Sequence, residues 1–72
     1  MQLYADVSLT IPINDGVLTY HVPPEMGVLM LGSRVLVNII NRKVIGYVVG
    51  LHENAPSFKT SPVLEVLVYL IF

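Results

Sequence analysis

Two runs rich in β-branched residues, separated by a short polar break, constrain the fold of this chain more than any other feature. They span residues 33–40 and 44–51, and Asn41-Arg42-Lys43 lies between them. Valine and isoleucine are enriched in strands, and a polar break of this length between two such runs is typical of a β-hairpin. The sequence therefore predicts two antiparallel strands that display the adjacent cations Arg42 and Lys43 at their tip.

Three further segments have the pattern of strands. Residues 3–13 alternate imperfectly between apolar and polar side chains, and residues 17–22 follow the turn sequence Asn14-Asp15-Gly16, so we expect these two to pair as a hairpin. Residues 23–32 open with two prolines and predict a surface connection, and residues 62–67 predict a fifth strand. The sequence therefore predicts an all-β fold, a small antiparallel, partly open barrel of five to six strands.

Length and composition limit what the domain can cover by itself. The 72 residues suit one small domain, predicted at residues 1–67, with residues 68–72 as an apolar C-terminal extension or truncated linker. Apolar residues make up 54% of the chain and charged residues 12%, against typical values of roughly 45–50% and 25%. We therefore expect some apolar surface to meet another domain or chain, and self-association through the apolar C terminus is one form of that contact.

The charge balance restricts the kind of partner. The formal net charge is −1, whereas tight non-specific DNA binding uses about six or more phosphate contacts, so any nucleic-acid site must be local. The absence of cysteine excludes disulfides and thiolate metal sites, and the start of the chain lacks the pattern of a signal peptide. Residues 63–72 are too few for a membrane-spanning helix, which needs about 20. We expect a cytoplasmic protein without membrane contact.

Catalysis and metal binding are not expected. His21 and His52 lack a third ligand of suitable type and spacing for zinc, and the serines and carboxylates fall in no recognised catalytic motif. Gly27 and Gly32 bracket no Gly-Lys-Ser/Thr phosphate loop. We therefore predict that the chain is not an enzyme and uses no cofactor or metal.

The basic residues favour a binding site instead. Arg42 and Lys43 lie at the predicted hairpin tip, and Lys59 lies shortly before the last strand. In a barrel such connections gather at the ends, where ligands usually enter. The alternative interpretation, which composition alone favours, is that these are ordinary solvated loop cations.

A succession of short motifs resembles a known family. In chain order the motifs are Ala5-Asp6-Val7, Pro12-Ile13, Leu18-Thr19-Tyr20-His21-Val22-Pro23, Gly32-Ser33-Arg34-Val35-Leu36-Val37, Arg42-Lys43-Val44-Ile45-Gly46-Tyr47-Val48-Val49 and Lys59-Thr60-Ser61-Pro62-Val63-Leu64-Glu65-Val66-Leu67. Their order and spacing, over about residues 5–67, resemble the N-terminal domain of the replication-restart helicase PriA, also called primosomal protein N′. No single motif is specific, but the order is.

The resemblance implies a function. In that family the domain is a β-rich module that recognises the 3′ end of a DNA strand, typically the nascent leading strand at a stalled fork. The implied partners are therefore DNA, the remainder of the helicase and the primosome proteins that act in replication restart. The alternative is a β-barrel module that docks another protein through its apolar tail and has lost DNA binding, an interpretation favoured by the net charge and by Ile40.

The resemblance also implies where the DNA end lies. Leu18 occupies the place where the family commonly has an aromatic residue that supports the terminal base. Thr19 falls where an aspartate or threonine can accept a hydrogen bond from the 3′ hydroxyl. Asn38-Ile39-Ile40 replaces the family's Pro-Phe-Gly, so Ile40 adds a branched side chain where glycine permits close approach by a nucleotide and would leave the pocket shallower or partly filled.

A phosphate contact completes the implied site. Ser61 aligns with a lysine that reaches phosphate in relatives, and Lys59 points to the same side of an extended chain and can replace it. Tyr20 is shared with the family and is expected to pack in the barrel. The predicted DNA-binding residues are Leu18, Thr19, Ile39, Ile40, Asn41, Arg42, Lys43, Lys59 and Ser61.

Overall fold

Five strands and one turn of 3-10 helix form the part of the chain that the computed structural model describes, residues 2–10 and 16–68. The predicted turn residues Asn14 and Asp15, residues 11–13 of the predicted first strand, and the apolar end at 69–72 lie outside the described residues. The elements are β1 (Leu3–Leu9), β2 (Val17–Val22), a 3-10 turn (Pro24–Met26), β3 (Arg34–Ile39), β4 (Arg42–His52) and β5 (Glu65–Val68).

The strands form one antiparallel sheet in the order β2-β1-β4-β3-β5, and both predicted hairpins are present. The chain that follows β4 then ties the two ends of the sheet together. The His21 N–H donates to the Ser61 carbonyl at 3.0 Å, and the Val63 N–H donates to the His21 carbonyl at 3.0 Å. The Leu64 N–H donates to the Leu36 carbonyl at 2.9 Å. The sheet is curled but not closed, which confirms the predicted partly open barrel.

Alternating side chains fill the inside of the curled sheet. In the middle of β1, β3 and β4 and at the end of β2, the residues on the inward side are buried, and their neighbours on the outward side are half-buried or exposed, as a strand period of two requires. Leu29 adds a buried anchor from the connection at 23–32. The buried cluster consists of Ala5, Val7, Tyr20, Val22, Leu29, Val35, Val37, Val48 and Val63. No helix in the described ranges is long and apolar enough to cross a membrane.

Gly46 lets β1 and β4 approach closely, and a β-bulge next to Gly50 bends β4. A methyl group on Gly46 would overlap the Val7 side chain and lie 2.9 Å from the Ser8 carbonyl oxygen. Asp6 pairs with Gly50 whereas Val7 pairs with Val48, so β4 carries one extra residue between them. Such a β-bulge bends the strand and increases its twist, which helps the sheet to curl.

The structure corrects the predicted hairpin tip. The turn consists of Ile40 and Asn41, whose φ angles are 42° and 64°. Two successive residues in the left-handed region form a two-residue hairpin turn, whose twist matches that of the flanking strands. Arg42 and Lys43 are therefore the first residues of β4 and do not belong to the break.

The fifth strand also begins later than predicted. β5 starts at Glu65, and Pro62 forms only an isolated bridge with His21. Proline has no N–H to donate, and the residues after it bond first to β2 and then to β3, so a continuous ladder with one neighbour starts only at Glu65.

The close approach at Gly46 predicts a large effect of a small substitution. Gly46→Ala should lower the free energy of unfolding by about 1–3 kcal/mol, because the added methyl group overpacks the β1–β4 contact. Urea unfolding followed by circular dichroism measures this. Val49→Ala, on an exposed position of the same strand, is the control and should change stability by about 0.5 kcal/mol or less. Equal stability of Gly46→Ala and the wild type would contradict the packing described here.

Candidate functional site

An open cavity of about 240 Å³ lies where the free edge of β2 faces the β3–β4 turn and the segment 58–61. Pockets that enclose drug-sized ligands usually measure about 300–1,000 Å³, so this cavity suits a single small group or part of a larger ligand. The lining residues come from three separate parts of the chain. They are Leu18, Thr19, Tyr20, Asn38, Ile39, Ile40, Phe58, Lys59, Thr60 and Ser61.

The hydrogen-bonded contact between β2 and the chain at residues 61–63, here called the seam, is made by His21. The seam is open at Thr19, and the cavity lies there. In an antiparallel pair, alternate residues turn their peptide groups toward the neighbouring strand and away from it. The Leu9 N–H donates to the Gly16 carbonyl at 3.1 Å, and His21 bonds outward to Ser61 and Val63. Thr19 therefore turns its N–H and carbonyl the same way as His21. Within the described residues, no backbone group bonds to the Thr19 N–H or to the Thr19 carbonyl on this side of β2. Both groups are therefore available to a ligand.

The segment 58–61 is held against β2 by side-chain and backbone contacts at its end. The Thr60 hydroxyl oxygen lies 2.8 Å from His21 Nδ1, and the Ser61 carbonyl accepts from the His21 N–H. Phe58 and Lys59, which come directly before these anchored residues, form one wall of the cavity. His21 therefore both closes the seam and positions this wall of the cavity.

Tyr20 forms the floor of the cavity and ties β2 to the end of β3. Its side chain is 3% exposed, which confirms the prediction that it packs in the barrel. Its hydroxyl donates to the Asn38 carbonyl at 3.2 Å. Burial raises the pKa of the Tyr20 phenol, so the hydroxyl stays protonated and able to donate.

The Thr19 hydroxyl does not face the cavity floor but donates to Asp6 Oδ1 at 2.7 Å, on the outer side of the sheet. His52 Nε2 lies 3.1 Å from the same oxygen. The Asn54 N–H can only donate, so the His52 Nδ1 that it contacts at 3.2 Å is the acceptor, and the ring proton lies on Nε2 and points to Asp6. Tyr4 stacks on the His52 ring. These contacts hold the Thr19 side chain in place and direct its proton away from any ligand.

The carboxylate of this cluster is stabilised in its charged form. The hydrogen bond from Thr19, together with a smaller contribution from His52, lowers the pKa of Asp6 below its ordinary value of 3.8, against an opposing effect of desolvation. A carboxyl with a depressed pKa in the folded state contributes stability above its unfolded pKa and loses it as the pH falls through the folded pKa.

Of the nine residues predicted to bind DNA, six line the cavity: Leu18, Thr19, Ile39, Ile40, Lys59 and Ser61. Asn41, Arg42 and Lys43 do not. Arg42 pairs with Ile39 and Lys43 pairs with Asn38, and directly opposed side chains lie on the same face of a sheet. Arg42 is therefore on the inward face of the sheet, and Lys43 is on the outward face.

Four lining residues were not in the predicted set: Tyr20, Asn38, Phe58 and Thr60. Asn38 lies in the segment that replaces the family's Pro-Phe-Gly, and that departure was the available signal. Phe58 is the only aromatic residue between His52 and Tyr69. An apolar ring in an otherwise polar loop is a signal that strand periodicity does not carry.

Ile40 stands at the rim of the cavity. Its side chain is 89% exposed, so it does not fill the space, in contrast to the expectation of a partly filled pocket. Its φ of 42° lies in the left-handed region, which costs a non-glycine residue roughly 1–2 kcal/mol. The backbone at this position thus has a glycine-like conformation even though the residue is branched.

Comparison with protein families relates this arrangement to a known one. The family model for the 3′ DNA-binding domain (3′BD) of PriA matches residues 6–71. This range includes every residue that lines the cavity. Neither the curated proteins nor the solved structures include a match to the chain.

The cluster at Asp6 predicts an acid-dependent stability difference. Thr19→Val removes the hydroxyl donor but keeps the branched shape, so it should lower stability near neutral pH, where the Asp6 carboxylate is charged. Because the pKa of Asp6 in the folded protein lies below 3.8, the difference from the wild type should shrink as the pH falls below about 4 and the carboxylate becomes protonated. Thermal unfolding across this range measures it. A difference that persists undiminished at the acid end would contradict the described hydrogen bond.

Proposed function

The chain belongs to the family of PriA 3′ DNA-binding domains, and from this premise we propose that its open cavity holds the 3′-terminal nucleotide of a DNA strand. The observation that carries the proposal is the open seam at Thr19. An unpaired peptide group at the edge of a small cavity offers one donor and one acceptor to a ligand that ends there. A strand that continued beyond the terminal nucleotide would need room for another phosphate.

Recognition of a 3′ hydroxyl follows from the polarity of these groups. The Thr19 carbonyl can accept a hydrogen bond from the hydroxyl of the terminal sugar. A 3′ phosphate presents mainly acceptors near neutral pH, so at the carbonyl it would lose this hydrogen bond and meet electrostatic repulsion. Leu18 and Ile39 give apolar contact to the sugar or base without reading base edges, so recognition is independent of sequence.

The cations have unequal access to the DNA backbone. Lys59 lines the cavity, and we expect it to meet the phosphate of the terminal nucleotide. Arg42 lies on the inward face, opposite Ile39, and can meet the next phosphate. Asn41, at the turn, and Ser61, two residues after Lys59, would supply neutral hydrogen-bonding groups. With so few cations, binding should be weak, with a Kd of micromolar order or poorer.

Membership of the family supports a proposal for the wider role. We propose that the chain acts as the end-recognition module of a replication-restart helicase, where it detects the 3′ end of the nascent leading strand at a stalled fork. The rest of such a helicase and the primosome proteins are the proposed partners. The module supplies recognition, and any ATP-driven step would lie in the partner domains.

The main test compares two DNA ends. A short single strand, labelled at its 5′ end and ending in a 3′ hydroxyl, should bind at least about tenfold more tightly than the same strand with a 3′ phosphate, a difference of about 1.4 kcal/mol. Fluorescence anisotropy with the chain measures both. The control is a strand with the same 3′ hydroxyl and a different label at its 5′ end, and it should bind like the parent strand. Equal binding of the two 3′ ends, or none, would reject the proposal and favour the protein-docking alternative.

Two adjacent cations provide a matched pair of variants. Arg42→Gln and Lys43→Gln remove the same charge from neighbouring positions on opposite faces of β4. Arg42→Gln should weaken binding of the hydroxyl-ended strand and reduce the dependence of log K on log salt by about 0.7, the value for one single-strand phosphate contact. Lys43→Gln should change both quantities less. Equal effects of the two variants would indicate a diffuse electrostatic contribution instead of a defined DNA path.

A further inference from the structure

The wall that faces β2 carries an aromatic ring with no role in the contacts described so far. Phe58 lines the cavity, and 59% of the residue is exposed. The remaining aromatic residue in the lining, Tyr20, is 3% exposed, and its hydroxyl is bonded to Asn38. Phe58 is therefore the exposed aromatic residue among those that line the cavity.

The position of this ring is set by the chain that follows it. Thr60, two residues later, lies 2.8 Å from His21 Nδ1, and Ser61 bonds to the His21 N–H. Both contacts fix the segment relative to β2, and hence relative to the open peptide group of Thr19. Lys59, between the ring and the anchor, lines the same cavity. A planar apolar face, a cation and a hydrogen-bonding peptide group thus surround one space.

These three groups match the three parts of a terminal nucleotide. Aromatic side chains bind single-stranded nucleic acid by stacking on bases, and this is independent of sequence because every base has a π-face. Leu18, which lines the cavity from β2, is aliphatic and cannot stack in this way. We propose that Phe58 supplies the stacking surface for the 3′-terminal base from the opposite wall, an inference that rests on the proposed function.

The test removes the ring and the base separately. Phe58→Leu keeps apolar bulk, and Tyr47→Leu is the matched control because Tyr47 is another exposed aromatic residue, outside the cavity lining. Each variant is titrated with the hydroxyl-ended strand and with a strand whose 3′-terminal nucleotide lacks its base. Phe58→Leu should bind the intact strand about 5- to 100-fold more weakly than the wild type but the abasic strand equally well. Tyr47→Leu should bind both strands as the wild type does.

A second variant reports the contact directly. The chain contains no tryptophan, so Phe58→Trp introduces a single tryptophan, whose selectively excited fluorescence should be quenched by the intact strand and not by the abasic one. Equal quenching by both strands would overturn the stacking inference. Because Phe58 is largely exposed, both Phe58 variants should unfold at the wild-type urea midpoint, which excludes loss of folding as the cause.

The outcomes separate this inference from the function on which it rests. If the wild type prefers the 3′ hydroxyl over the 3′ phosphate but Phe58→Leu binds like the wild type, the role of Phe58 is rejected and the proposed function stands. If the wild type shows no preference for either end, the proposed function is rejected and the inference falls with it. Loss confined to Phe58→Leu and to the intact strand supports both.

Discussion

The hydrogen bonds between His21 and the chain at residues 61–63 are the contact on which the rest of the structure depends. They join the outer edge of β2, the edge that does not pair with β1, to the segment that leads into β5. Leu64 bonds to β3, near the other end of the sheet. Val63, between these contacts, is 1% exposed and belongs to the core. One short segment therefore curls the sheet, buries a core side chain and forms the second wall of the cavity.

The side chain and the peptide group of Thr19 lie in two different environments, because side chains and peptide groups in a strand point in different directions. Its side chain lies on the outer face with Asp6, where Gly50 leaves room, because a Cβ at Gly50 would lie 2.9 Å from Asp6 Oδ2. Its peptide group faces the open seam. Stability and ligand contact are thus supplied by different atoms of one residue.

Strands and pairing were predicted well, and turns and seam contacts were not. The bounds of β2, both hairpins and the partly open barrel follow from alternation and turn residues, which act over short distances. The hairpin tip was misplaced because a β-branched residue rarely adopts a positive φ, and only the register between β3 and β4 imposes one on Ile40. Phe58 was missed because it lies in a loop, where no period relates a side chain to a face.

The sequence by itself determined the class of fold, the principal strands and the family, because these depend on side-chain alternation and on the order of motifs along the chain. Only the tertiary structure decided where the seam opens and which atoms face it. The contact that anchors the cavity wall joins His21 to Thr60, 39 positions apart. No local preference of either residue specifies that meeting, since it results from the curl of the whole sheet.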